Sequence, residues 1–170
     1  MSGLYSIQLS GLKEGRYTYN FEIDNKFFEL FEESEIKEGD LLAEVELDKR
    51  SSHFDLRFRI SGKVLVTCDR CLEVYFQDIE CDNRILFKAG KTWDDDNPDL
   101  ITIPADEYEL DLKQYLYEFI HLALPLKRVH QDDENGRSTC DPDMLNRIRG
   151  NSDDSDSDSD PRWDELKKLL

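Results

Sequence analysis

Leu41-Leu42-Ala43-Glu44-Val45-Glu46-Leu47-Asp48-Lys49 and, after a short gap, His53-Phe54-Asp55-Leu56-Arg57-Phe58-Arg59-Ile60-Ser61 decide the fold class. In the first run Ala43, Val45 and Leu47 alternate with Glu44, Glu46 and Asp48; in the second Phe54, Leu56, Phe58 and Ile60 alternate with Asp55, Arg57 and Arg59. A period of two with one wet face is the pattern of antiparallel strands laid on a core. Lys49-Arg50-Ser51-Ser52 reads as their turn. Further on, Gly62 is expected to separate a third strand, Lys63 to Cys68, and Leu72 to open a fourth running towards Phe87. The apolar set of that fourth strand begins on even numbers (Leu72, Val74, Phe76) and resumes on odd ones (Ile79, Cys81, Ile85, Phe87). Such a change of phase predicts a bulge or bend near Gln77-Asp78.

Tyr5 to Leu9 reads as another strand, and residues 25–33 fit either a short helix or a strand. Residues 91–109 are acidic and turn-rich, the pattern of a loop. Leu112, Leu116, Phe119, Ile120 and Ala123 share one stripe at helical spacing, with Asp111 as N-cap and Pro125 as stop. The expected class is therefore α+β: a mainly antiparallel sheet, open or barrel-like, covered by one or two helices. Residues 1–149 would form one globular domain. Asn151 to Asp160 holds only Asp, Ser and Asn, so residues 150–161 are expected to be a disordered acidic linker. Residues 162–170, with Trp163, Leu166 and Leu170 on one face, would be a short amphipathic helix that folds on docking.

The 170 residues carry 22 basic and 39 acidic side chains, a net charge of −17. A chain that negative repels phosphate backbones at long range, which argues against free-standing, non-specific nucleic-acid binding and favours basic protein partners. No apolar run approaches the ~20 residues of a membrane span. Met1-Ser2-Gly3-Leu4-Tyr5 lacks the basic and apolar regions of a signal peptide. The expected location is the cytoplasm, where thiols stay reduced and a close cysteine pair is read first as metal-binding or catalytic.

That pair is Cys68-Asp69-Arg70-Cys71, between two strand patterns. Redox C-x-x-C pairs usually begin a helix, whose dipole lowers the thiolate pKa; a strand follows this one. A turn presenting two thiolates is half of a tetrahedral zinc site. For the other half, Cys81 lies on an apolar strand face, and His53 and His121 read as solvent-facing. His130 and Cys140 sit in a polar, irregular stretch where a free cysteine has no packing reason to be. Three readings stay open: zinc on Cys68, Cys71, His130 and Cys140; thiols that are merely structural; or a redox or nucleophilic cysteine. Templates for other chemistry are missing: there is no G-x-S-x-G, no phosphate-cradling glycine loop and no H-E-x-x-H. Lys127-Arg128 and Arg147 to Arg149 are local basic groups suited to helix ends and surfaces.

Cys68-x-Arg70-Cys71-Leu72, followed by Asp111-Leu112, Glu118 and Leu122-x-Leu124-Pro125, resembles the YceD family of bacterial large-subunit ribosomal RNA accumulation proteins. Pro125 to His130, Cys140-Asp141-Pro142 and the closing stretch Asp160 to Leu169 look like the Bacteroidetes-type members. The resemblance spans roughly residues 40 to 170. It implies a ribosome biogenesis factor without catalytic activity, acting with large-subunit components: a basic ribosomal protein, a precursor RNA particle, or both. It also implies a metal shared between the first cysteine pair and a second cysteine group; this chain departs from that pattern, offering only His130 and Cys140. Neither a membrane nor a small-molecule substrate is expected. Arg70, Lys127, Arg128, Trp163 and Leu166 are the expected partner-contacting residues. The alternatives are a small zinc-braced adaptor unrelated to ribosomes and a thiol-dependent enzyme using Cys68 or Cys71.

Overall fold

In a computed structural model that describes residues 3–94, 100–104 and 106–153, contacts divide the chain into two units. One comprises Met1–Val66 with Phe76–Leu126; the other comprises Thr67–Tyr75 with Lys127–Leu170.

The first unit is built on a five-stranded sheet of order β2-β3-β4-β5-β6. Its strands are β2 (Gly15–Ile23), β3 (Gly39–Lys49), β4 (His53–Thr67), β5 (Val74–Gly90) and β6 (Leu100–Pro104). β3 pairs antiparallel with both β2 and β4, with Val45 opposite Tyr19 on one side and Phe58 on the other. β6 runs parallel to β5, so the sheet is mixed, and it does not close into a barrel. The barrel-like alternative is thereby corrected. β1 (Ser6–Gln8) and β7 (Glu109–Asp111) form a separate two-stranded ribbon.

Burial follows the alternation. Ala43, Val45 and Leu47 of β3, with Leu56, Phe58 and Ile60 of β4, are at most 1% exposed. Against this face lies α2 (Lys113–Leu122), whose Leu116 and Ile120, like the preceding Leu112, are fully buried. Phe119 meets Phe58 edge-on at 5.1 Å, and Tyr115 meets Phe87 at 5.5 Å. Asp111 accepts from the amide of Lys113, one residue before the boundary expected of an N-cap. Residues 25–33 resolve into a one-turn helix, α1 (Asn25–Phe28), capped by Asp24 and burying Phe27 and Phe28.

Two expectations about the sheet fail. Gly62 does not separate strands: β4 runs through it, in register opposite Leu41. A Cβ at Gly62 would lie 2.3 Å from the Asp40 carbonyl oxygen, and its φ of 147° is one that side chains avoid. The glycine thus permits the β3 backbone to approach an unbroken β4, where a strand break was expected. β5 likewise shows no change of phase, because odd-numbered residues face inward along its length and Val74 and Phe76 stay 61% and 52% exposed. Their apolar character belongs to the outer face, so the even-to-odd switch was a change of composition rather than a bend. The acidic loop over 91–109 is also corrected in part, since β6 and the start of β7 lie inside it.

The second unit contains the C-x-x-C turn and α3 (Pro142–Asp153), a helix that begins with Asp141 accepting from the amide of Asp143 and Pro142 at its first position. α3 extends into the first residues expected as linker. The rest of that linker, the 162–170 helix, Trp163 and Leu166 lie outside the described residues. Among the described residues no helix is long and apolar enough to cross a membrane.

Candidate metal centre

The second unit is organised around its cysteines. β4 ends at Thr67 and β5 starts at Val74, leaving Cys68 to Glu73 as the turn. Its backbone is closed by Cys68 N–H donating to the Glu73 carbonyl (2.8 Å) and Leu72 N–H donating to the Cys68 carbonyl (3.0 Å). Leu72 completes the turn in the left-handed region, φ 63°, with its side chain 66% exposed. A bulky apolar residue gains nothing locally from either condition.

Asp69 fastens the turn to the segment that carries His130. Its N–H donates to the Arg128 carbonyl and its carboxylate accepts from the Arg128 N–H, both at 2.7 Å. Beyond His130 the chain makes a small hairpin. Asp132 and Ser138 form a β-bridge, and Asp133 accepts from the amides of Asn135 and Arg137. Gly136 supplies the positive φ of 73° that this turn requires. Thr139 Oγ1 donates to the Gln131 carbonyl, closing the hairpin and returning Cys140 to His130.

The result is a Cys3His cluster. Cys68, Cys71 and Cys140 are buried and His130 is half-buried, with all four ligand atoms within 4.8 Å of one another. Cys68 Sγ lies 3.7 Å from Cys140 Sγ, and His130 Nδ1 lies 3.4 Å from Cys71 Sγ and 3.6 Å from Cys140 Sγ. Metal bonds of about 2.3 Å to sulfur and about 2.05 Å to nitrogen at tetrahedral angles put sulfurs about 3.8 Å apart and sulfur and nitrogen about 3.6 Å apart. The observed separations match those edges. None of the cysteines is in a disulfide.

The surroundings favour thiolate at Cys68 and Cys140. Burial acts to raise the Cys68 pKa, but the backbone N–H groups of Cys71, Arg70 and His130 outweigh it and bring the thiol down to about 6. Cys140 is lowered too, with burial opposed by Ser138 and His130, whereas burial holds Cys71 above its usual value. His130 is raised: burial opposes its charge, and the Cys140 and Cys68 sulfurs favour it more strongly. Tyr75 packs on the His130 ring at 4.7 Å, and Val129, Met144 and Leu145 complete an apolar jacket. Amide donors at the sulfurs and an apolar shell are the supports that fix metal ligands.

A family model described as large ribosomal RNA subunit accumulation protein YceD matches residues 56–170. The chain belongs to the YceD family. No curated protein and no solved structure matches it. The family's description gives this YceD chain a role in large-subunit ribosomal RNA accumulation and does not describe an enzyme.

The four residues expected as ligands are those the structure brings together. Cys81 stays apart, half-buried with its sulfur towards the Phe119 carbonyl, and burial raises its pKa. His121, expected to face solvent, is instead half-buried: its ring lies tilted at 4.0 Å from that of Tyr117 and its Nδ1 lies 2.8 Å from the Tyr117 carbonyl. Arg70 donates to Ser138 Oγ (3.1 Å) and lies 3.9 Å from Asp132, while its Nε is buried without a partner among the described residues. Lys127 is exposed and Arg128 half-buried. The sequence reading missed the hairpin and α3, although Asn135-Gly136 and Asp141-Pro142 are signals for a tight turn and a helix start.

Proposed function

We propose that this YceD-family chain is a non-enzymatic factor in assembly of the large ribosomal subunit, whose second unit is braced by one zinc ion on Cys68, Cys71, His130 and Cys140. The observation that carries the reading is the ligand set: three sulfurs and one imidazole nitrogen within 4.8 Å of one another, with Cys68–Cys140, Cys71–His130 and Cys140–His130 separated as a tetrahedral site requires. Catalytic zinc keeps a position open for water or substrate, and four protein ligands leave none. The ion would hold two stretches of chain distant in sequence, the Cys68–Cys71 turn and the His130–Cys140 hairpin. Arg70, Lys127 and Arg128 would flank the partner-facing side of the centre, with Trp163 and Leu166 supplying an apolar contact. The net charge of −17 supports basic ribosomal proteins, met within a precursor particle in the cytoplasm, over naked RNA.

The test is affinity purification of the tagged chain with mass spectrometry and elemental analysis on one sample. Large-subunit precursors and ribosomal proteins should be recovered, with one zinc per chain. Recovery of neither would overturn the assembly reading. Metal-free protein that still melts cooperatively would overturn the zinc.

A further inference from the structure

The outer face of the sheet in the first unit is divided in two. At one end every arginine is paired: Arg16 and Arg50 with Asp48, Arg57 with Asp82, Arg59 with Glu44 and Glu46, and Arg84 with Asp55. Arg84 and Arg57 hold the carboxyls of Asp55 and Asp82 below the usual carboxylate range through hydrogen bonds. This half is electrically satisfied, with cations and anions alternating across β3, β4 and β5.

The other end of the same face has no such balance. Leu42 (51% exposed) and Phe76 (52%) stand out of β3 and β5, with half-buried Leu65 of β4 on the same side. Around them the exposed carboxylates of Glu22, Asp40, Asp78 and Glu80 have no ion-pair partner among the described residues. Arg59 is committed to Glu44 and Glu46, and Lys63, opposite Asp40 in register, sits over the Phe76 ring at 5.2 Å. Shallow hollows beside Leu42 are lined by Glu22, Asp40, Ser61 and Glu80, and by Arg59 and Glu44, which pair with each other. Exposed apolar side chains ringed by uncompensated negative charge match a segment that alternates cations with apolar side chains.

We infer that this end of the sheet is a docking surface for a lysine- and arginine-rich segment of a protein partner, whose apolar side chains cover Leu42 and Phe76. The commitment to a basic protein segment rests on charge complementarity. RNA would be repelled by the four carboxylates, and a second copy of the chain would present the same charges to them. The paired half of the face gives register: a segment sliding towards Arg57 and Arg84 meets arginines and loses its anionic partners. The inference rests on the assembly reading only in expecting that partner to be a ribosomal protein.

The experiment places a photo-crosslinking benzoylphenylalanine at position 76 of the full chain in growing cells and identifies the captured peptides by mass spectrometry. Peptides rich in Lys and Arg from a basic protein are expected. Capture of RNA, of a second copy or of an acidic segment would overturn the inference, and so would no capture. In parallel, a Leu42→Gln, Phe76→Gln double variant should lower the fraction bound to precursors by at least about tenfold, as removal of two central anchors does. Its melting should be unchanged, since both side chains are already half in water. Full retention on precursors by that variant would overturn the docking surface and leave the assembly reading standing. Capture of a basic segment by wild-type chain that never associates with precursors would overturn the assembly reading alone.

Discussion

Leu72 is held at φ 63° immediately after Cys71, with most of its side chain in water. A non-glycine residue in that conformation costs about 1 kcal/mol or more, and little apolar burial offsets it here. Leu72→Gly is therefore expected to stabilise the protein by about 1 kcal/mol while leaving metal content unchanged. Chemical denaturation of the two proteins with metal analysis checks this, and a loss of stability would mean that the leucine makes a contact in the folded state. At this scale much of the site was legible. Cys68 and Cys71 announced themselves by spacing, and His130 and Cys140 by being chemically soft residues in a polar stretch. What could not be read was their convergence. It depends on the Asp69–Arg128 backbone exchange and on the 131–139 hairpin, neither of which leaves a periodic trace.

Among the elements, β4 is the one whose continuity hangs on a single residue. Any side chain at Gly62 must displace the β3 backbone at Asp40 and Leu41 and accept an unfavourable φ. Gly62→Ala is expected to cost about 3 kcal/mol, at the upper end for ordinary single substitutions, seen as a fall in the urea midpoint. A drop under about 1 kcal/mol would show that β3 can shift to make room. The same strand shows why element boundaries were misread. Glycine marks breaks and close approaches alike, and only the partner strand distinguishes them. β2 was missed although Tyr17, Tyr19, Phe21 and Ile23 alternate with Arg16, Thr18, Asn20 and Glu22. β6 was hidden because five residues, Leu100 to Pro104, lie in a stretch whose composition is dominated by acid. β3, most of β4 and α2 were legible, since each is long enough for its period to stand above such noise.

On the scale of the molecule, each unit has its own source of stability. The first buries the inner sheet face and α2, whereas among the described residues the apolar cluster of the second is three cysteines with Tyr75, Val129, Met144 and Leu145. A cluster of that size gains much from a staple, and a structural metal is one such staple. Cys68→Ser should abolish zinc binding and greatly speed amide exchange in residues 68–75 and 130–145. Exchange in β2, β3 and the inner-facing part of β4 should keep its wild-type rate. Uniform loss of protection throughout would show that the first unit also depends on the metal, and no change would show that the second does not. Cys81→Ser serves as the control, being outside the cluster.

The four cluster residues come from two places in the chain, a turn at 68–71 and a hairpin at 130–140, with β5, β6, β7 and α2 encoded between them. During translation the first two thiols are made well before their partners. At about 5–20 residues per second, the interval from Cys71 to Cys140 is about 3–14 s. Through that interval a nascent chain offers only half a coordination shell, open to exchange with other thiols or to loose capture of an ion. The first unit can order its strands while the second waits for its last cysteine. Under the zinc reading, closure of the centre waits on Cys140, the last of the four cluster residues to be made.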